Sequence, residues 1–316
     1  ALGKGSRIGL VSPASNVYER EEVRMACEIA ESFGFRVELG RHAADSYGYL
    51  AGEDAGRAED LNEMFRRKDI DGIWAIRGGY GAGRLLPFLD YAAIRQNPKP
   101  LIGYSDITAL HLAIQRLSGV VTFHGPIARQ LFSEYTLKSF KKTLFETAPL
   151  GEIASPPPFT PAEGKTEWEN RVLTLCGGKA GGIVTGGNLS LVTATLGTPF
   201  EVETRGRILF LEEVGEAPYR VDRMMTQLWL SGKLAEVAGI VLGKFTDCRP
   251  PDYRPGFHNT LSVEEVLRTR LAPLQKPCLY GLMFGHTQDN ATIPMGLRAS
   301  LDADARRFSI DESAVV

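Results

Sequence analysis

Apolar positions along this chain switch between two spacings, one fitting strands and one fitting helices. Arg7-Ile8-Gly9-Leu10-Val11-Ser12-Pro13 reads as a buried strand closed by a proline and a polar loop. Over residues 19–33, Val23, Cys27, Ile29, Ala30 and Phe33 fall at helical spacing, and Gly34 supplies a C-cap. A second strand is expected over 35–39, then a polar segment with Tyr47 and Tyr49, then a helix over about 55–67 with Leu61, Met64 and Phe65 as its buried stripe. Further strands are expected over 71–76 and 101–104. Strands alternating with helices predict a parallel, doubly wound sheet, with function at the carboxyl ends of its strands.

Between residues 150 and 182 the texture changes. Proline-rich Ser155-Pro156-Pro157-Pro158-Phe159-Thr160-Pro161 and glycine-rich Cys176-Gly177-Gly178-Lys179-Ala180-Gly181-Gly182 bracket a polar stretch containing Trp168. This enrichment predicts a linker over 151–181, between an N-terminal domain of residues 1–150 and a C-terminal domain of residues 182–316. The second part is expected to hold a strand over 183–185, a glycine turn at 186–188 and a helix over 189–196. After these come an apolar strand from Arg207 that runs abruptly into acids, a helix over about 219–230 and a strand over 238–243. A helix over 263–271 and strands near 278–282, 291–294 and 298–302 complete a mixed α/β half with a partly antiparallel end.

Composition narrows the class. With 316 residues, 43% hydrophobic and 23% charged, the chain can build two sizeable cores, so disorder is not expected. A formal net charge of -2 and the absence of a long Lys/Arg run argue against nucleic acid or an anionic membrane as partner, leaving a small molecule. No run of eighteen apolar residues is present, so no membrane span is expected. Cys27, Cys176, Cys248 and Cys278 form no C-x-x-C pair and no metal-ligand spacing, which fits reduced thiols in a cytoplasmic protein. Ala1-Leu2-Gly3-Lys4-Gly5-Ser6 leads into the first strand without a signal-peptide pattern.

Candidate chemistry centres on Gly103-Tyr104-Ser105-Asp106, where a strand turns into the helix pattern of Ile107 to Ile114. Such a turn lifts a hydroxyl to a sheet edge beside a helix N-terminus, where it can act as a nucleophile. Ser and Asp are also preferred N-cap residues, so a purely structural reading competes. Arg77-Gly78-Gly79-Tyr80-Gly81-Ala82-Gly83-Arg84 follows another strand. It fails the G-x-G-x-x-G spacing because Arg84 stands where the third glycine would fall, and it lacks a Walker G-K-[ST]. Tight-turn geometry and close backbone approach to a ligand both account for it.

A serine nucleophile needs a base, and there are five histidines. His42 and His258 lie in loops, and His111 falls on the helix pattern after Ser105, pointing away from the serine's turn. His124 and His286 each follow a strand, and spacing does not separate them. Glu212, which ends a buried apolar run, is the candidate orienting acid; Glu213 should face the other way, and Glu216 fits the start of the next helix. Ile107 stands where a G-x-S-x-G elbow requires glycine, so this is not an ordinary α/β-hydrolase elbow.

Arg77-Gly78-Gly79-Tyr80-Gly81, Gly103-Tyr104-Ser105-Asp106, Gly186-Gly187-Asn188-Leu189, Leu211-Glu212-Glu213, Gly239-Ile240-Val241-Leu242-Gly243 and Phe284-Gly285-His286-Thr287 stand in the order of the L,D-carboxypeptidase family. The chain thus resembles the murein tetrapeptide carboxypeptidases, serine peptidases of the S66 type, over nearly its whole length. The resemblance implies Ser105 as nucleophile, Glu212 as orienting acid and His286 as base, with the amides of Gly79 and Asp106 as oxyanion hole. It also implies an N-terminal domain like the class I glutamine amidotransferases, and a murein peptide substrate that loses its terminal D-Ala in peptidoglycan recycling. No metal or cofactor is implied. Candidate substrate contacts are Arg77, Tyr80, Asn188 and Arg223, with Arg84 a further candidate cation for the D-Ala carboxylate. A homodimer is expected, as is common in the family and in general. Two alternatives are a relative of the immunity type, which cleaves peptide-nucleotide antibiotic conjugates with Trp168 as base platform, and a non-catalytic two-lobed binding protein.

Overall fold

The computed structural model describes residues 1–250 and 260–316; His258 lies outside the described residues. The first part of the chain forms β1 (Arg7–Val11), α1 (Glu21–Ser32), β2 (Arg36–Leu39), α2 (Asp54–Arg66), β3 (Gly72–Ala75), α3 (Tyr91–Gln96), β4 (Leu101–Gly103), α4 (Thr108–Ser118), β5 (Thr122–His124) and α5 (Glu134–Phe145). There follow β6 (Gly151–Glu152), β7 (Leu173–Cys176), β8 (Lys179–Asn188), α6 (Leu189–Ala194), β9 (Ile208–Val214), α7 (Pro218–Leu230), α8 (Lys233–Glu236) and β10 (Gly239–Thr246). The chain ends with α9 (Val263–Leu271), β11 (Cys278–Tyr280), β12 (Ile293–Met295), β13 (Arg298–Asp302) and β14 (Arg307–Ile310).

The elements build a mixed α/β protein with two sheets. In the first, of order β12-β5-β4-β3-β1-β2, the five strands β5 to β2 are mutually parallel. The central strands β1, β3 and β4 read as largely apolar runs because both their faces are covered, whereas the edge strand β2, Arg36-Val37-Glu38-Leu39, does not. β3 and β4 are buried at every position. β12, from near the end of the chain, joins this sheet antiparallel to β5, pairing Ile293 with His124.

The second sheet has the order β6-β14-β13-β8-β9-β10-β11-β7, with a parallel centre of β8, β9, β10 and β11 and antiparallel margins. Residues 151–181, expected as a linker, contribute β6 and β7 to its two edges. Their strands are too short to show a period against the surrounding Pro and Gly.

The glycine turn expected at 186–188 is absent. Gly186, Gly187 and Asn188 continue β8 and pair with Phe210, Leu211 and Glu212 of β9. Glycine is required there by crowding. A Cβ on Gly186 would lie 1.9 Å from the Phe210 carbonyl oxygen, and one on Gly187 would lie 2.6 Å from the Thr108 side chain. This close approach brings the end of β9, and hence Glu212, against α4 and the strand ends of the first sheet. No helix among the described residues is long and apolar enough to cross a membrane.

Candidate active site

Ser105 sits at the end of β4, as the strand-end pattern predicts, at the start of a single 3-10 turn (Ser105–Ile107) that leads into α4. Its φ of 65° is left-handed, a conformation that costs a non-glycine residue about 1–3 kcal/mol and persists only where packing imposes it. The packing is visible on both sides. Gly103 leaves room for Ile107 and Ala75, and Gly78 approaches so closely that a Cβ there would lie 3.1 Å from the Ser105 Cβ.

The cap reading of this turn takes a different form. Neither Ser105 nor Asp106 caps the helix with its side chain. The Asp106 carboxylate instead accepts from the Ala82 N–H at 2.6 Å, tying the glycine loop to the Ser105 turn. Burial pushes this carboxyl up to about 6, opposed by the backbone hydrogen bonds and by Arg57.

Glu212 lies at the end of β9 with its side chain fully buried, and its Oε2 is 2.7 Å from His286 Nδ1. His286 remains 18% exposed, so its other nitrogen can meet a substrate. Gly285 makes the pairing possible. Its φ is 106°, and a Cβ would lie 2.6 Å from Glu212 Oε2. The His286 ring packs at 4.8 Å, centroid to centroid, on Tyr104, the neighbour of Ser105. Burial, and then the charge of Glu212, push the Tyr104 phenol up to about 12. Glu212 at the end of β9 and His286 in the glycine turn that precedes β12 are thus brought against Tyr104, the chain neighbour of Ser105 at the end of β4.

The two histidines that spacing left equal are separated by burial. His124 is wholly enclosed at the end of β5, and burial holds its imidazole far below its ordinary range, with the neighbouring imidazoles of His111 and His286 acting the same way. His111 is also enclosed, its Nε2 2.9 Å from the Gly103 carbonyl, and burial pushes it down to about 4. His42, for which the sequence offered no partner, faces Asp45 at 2.7 Å on the surface; this partner raises its pKa.

Glu213 does face the other way. It accepts from the Asn188 amide, from the Ser190 N–H and hydroxyl and from the Val214 N–H, and burial raises its pKa. Asn188 is 3% exposed; its oxygen caps α6 and its amide serves Glu213, so its polar atoms are occupied within the fold. Arg77 donates to the Asn16 carbonyl and lies 4.1 Å over the Tyr18 ring. Arg84 makes a two-oxygen pair with Asp54. Arg223 lies 5.4 Å over the Tyr219 ring beside a cleft that Glu216 and Met224 also line. Tyr80 is 55% exposed, edge-on to Tyr49 at 5.6 Å.

Two supporting residues escaped the sequence reading. Ser15, in the loop that follows β1, accepts from the Tyr80 N–H at 3.0 Å and leaves room for no side chain at Gly79. Arg57 on α2 is 1% exposed; it donates to the Pro13 and Gly81 carbonyls at 2.6 and 3.1 Å and pairs with Asp54. The strand-end rule applied to Ser15, and the position of Arg57 one turn before Leu61 on a buried stripe, are the signals that could have found them.

Residues 8–125 match the LD-carboxypeptidase N-terminal domain of peptidase family S66, and residues 181–301 match its C-terminal domain. The chain belongs to the LD-carboxypeptidase family. Two family relatives are a probable murein peptide carboxypeptidase of Bacillus subtilis, 38% identical over 100% of this chain and 94% of that protein, and the murein tetrapeptide carboxypeptidase of Pseudomonas aeruginosa, 34% identical over 96% and 95%. A third is the microcin C7 self-immunity protein MccF of Escherichia coli, 32% identical over 98% and 94%. A solved MccF structure superimposes with a TM-score of 0.86 at 29% identity, covering 100% of this chain and 98% of that one. MccF has also been solved with aspartyl sulfamoyl adenosine.

Proposed function

We propose that this chain is a serine L,D-carboxypeptidase that removes the terminal D-Ala from murein tetrapeptides in peptidoglycan recycling. The observation that carries the reading is the 2.7 Å contact between His286 Nδ1 and the buried Glu212 carboxylate, beside a serine held at a left-handed φ. Glu212 fixes the imidazole with Nδ1 protonated and Nε2 free to act. His286 takes the Ser105 proton as the Ser105 oxygen attacks the carbonyl between the L-centre of diaminopimelate and D-Ala. It then returns that proton to the leaving amine, and water hydrolyses the acyl-enzyme by the same base.

The amides of Gly79 and Asp106 are the proposed oxyanion hole. The Gly78 carbonyl accepts from the Ser15 N–H at 3.2 Å. Trans peptide geometry then turns the Gly79 N–H away from Ser15, and no protein acceptor among the described residues takes it. The parallel first sheet, with its nucleophile at a strand end, supports a likeness to the class I glutamine amidotransferases. Residues 1–150 and 182–316 are proposed as the two functional halves, and the protein as a cytoplasmic homodimer. Arg223, which forms no ion pair among the described residues, is the proposed partner of the D-Ala carboxylate.

Ser105→Ala is expected to abolish D-Ala release from free tetrapeptide, read by mass spectrometry, with an unchanged circular dichroism spectrum; retained turnover would sink the assignment. One observation favours a second reading, cleavage of peptide-nucleotide conjugates. Trp168 is 80% exposed at a cleft of about 520 Å³ shared with Lys244, Arg268 and Tyr280, a surface on which a nucleobase could stack. Offering both substrate classes to the wild-type protein decides between them, and a serine-directed phosphonate that leaves Ser105 unlabelled would point to a binding protein.

A further inference from the structure

Behind the His286–Glu212 pair lies a second imidazole with no assigned work. His124 ends β5, opposite Gly103 of β4 on one side and Ile293 of β12 on the other. Its ring is wedged edge-on between Tyr104, at 6.0 Å, and Phe210, at 5.2 Å, with His111 of α4 at 6.5 Å. Both ring nitrogens are buried without a hydrogen-bond partner, and so is Oε1 of Glu212, the oxygen that His286 does not use. These orphans face each other: His124 Nε2 is 4.0 Å from Glu212 Oε1, and both side chains have no solvent exposure.

A neutral imidazole must carry one N–H and a carboxylate oxygen must accept, so the two groups are chemically complementary. An unmet buried polar group is destabilising, and a movement of about 1 Å would satisfy both. Resting on the reading of Ser105, His286 and Glu212 as a triad, we infer that His124 is a positioning residue of that triad. In the neutral form with the proton on Nε2, it directs an N–H at Glu212 Oε1 and fixes the rotation of the carboxylate, so that Oε2 stays in line with His286 Nδ1.

A charged His124 would serve differently, as an ion-pair partner. The fold opposes it, because the ring is sealed from water by Tyr104 and Phe210 and has two further imidazoles, His111 and His286, within electrostatic reach. The donor is therefore a dipole, which orients Glu212 without neutralising the charge that His286 needs when it becomes an imidazolium.

Two measurements test this. In 15N-labelled wild-type protein, two-bond proton–nitrogen correlations, assigned by their loss in His124→Gln, should show His124 neutral with the proton on Nε2 across about pH 6 to 8. A proton on Nδ1, or titration within that range, overturns the inference. Kinetically, His124→Phe, which keeps the ring and removes the N–H, should lower kcat about tenfold or more while KM stays within about twofold. His124→Gln, whose amide nitrogen reaches the same point, should recover kcat to within about threefold of wild type. Wild-type kcat in His124→Phe, or equal loss in both variants when both are folded, overturns it. Ser105→Ala tests the underlying triad separately. If the wild-type chain releases no D-Ala, the tautomer measurement still decides the placement of the His124 proton.

Discussion

Asp106 joins structure and chemistry within one residue. Its amide follows Ser105, the proposed nucleophile, and its carboxylate, 2% exposed, holds the Ala82 N–H and with it the glycine loop. Burial moves its pKa from an ordinary 3.8 up to about 6, so between those values the folded protein binds more protons than the unfolded chain. The contribution of this group to stability therefore falls as pH rises through that window, by up to ~3 kcal/mol from 3.8 to about 6 at 1.36 kcal/mol per unit. Asn at this position keeps an oxygen for Ala82 and carries no charge. Relative to wild type, Asp106→Asn should become progressively more stable as pH rises from about 4 to 6, and the gain should level off above that. Urea unfolding at intervals of pH checks this, and a difference that is flat with pH would contradict it.

At the scale of elements, what the sequence disclosed depended on whether burial left a period. The α9 helix was legible because Val263, Val266, Leu267 and Leu271 recur at helical spacing, and β3 and β4 because every position is apolar. Six elements were not; α8 has only four residues, and β14 offers only Phe308 and Ile310 as apolar positions. The buried face of α5 is half threonine, α3 is only six residues long, and β6 and β7 are too short to show alternation. In the site, the strand-end rule reached Ser105 and Glu212, and the collinear motifs added His286; the braces behind them carry no motif. Arg57 is the clearest case, a cation on the buried face of α2 that clamps the loops after β1 and β3 through Pro13 and Gly81. Arg57→Leu removes both donors while Asp54 keeps Arg84, so no acid is stranded. The Gly81 carbonyl keeps the Arg84 N–H at 3.2 Å, which leaves the Pro13 carbonyl unpaired. At about 1–3 kcal/mol for a buried carbonyl left unpaired, the variant should lose about 1–3 kcal/mol of stability in urea unfolding, and it should turn over substrate more slowly as the glycine loop loosens. A loss below about 0.5 kcal/mol would show that water satisfies this carbonyl.

For the whole molecule, the decisive feature is that the first sheet is not complete without a strand from the later part of the chain. β12 forms an edge of the first sheet against β5, although it lies between β11 and β13 of the second in sequence. One continuous buried cluster runs from Ile8, Trp74, Ile102 and Phe123 through Phe210 and Leu211 to Phe284 and Ile293. Thr108 of α4 donates no surface to water at all, because Asn188 and Gly187 of β8 lie against it. Halves joined in this way cannot unfold independently without exposing that cluster and leaving β5 with an unpaired edge. The chain should therefore unfold in a single transition, with calorimetric and van't Hoff enthalpies equal and with tryptophan fluorescence and far-UV circular dichroism changing together. Two resolved transitions would mean that the contact between the sheets is weaker than its burial indicates. The same coupling bears on catalysis, since Ser105 belongs to one sheet and Glu212 to the other: loss of activity on heating should coincide with this transition rather than precede it.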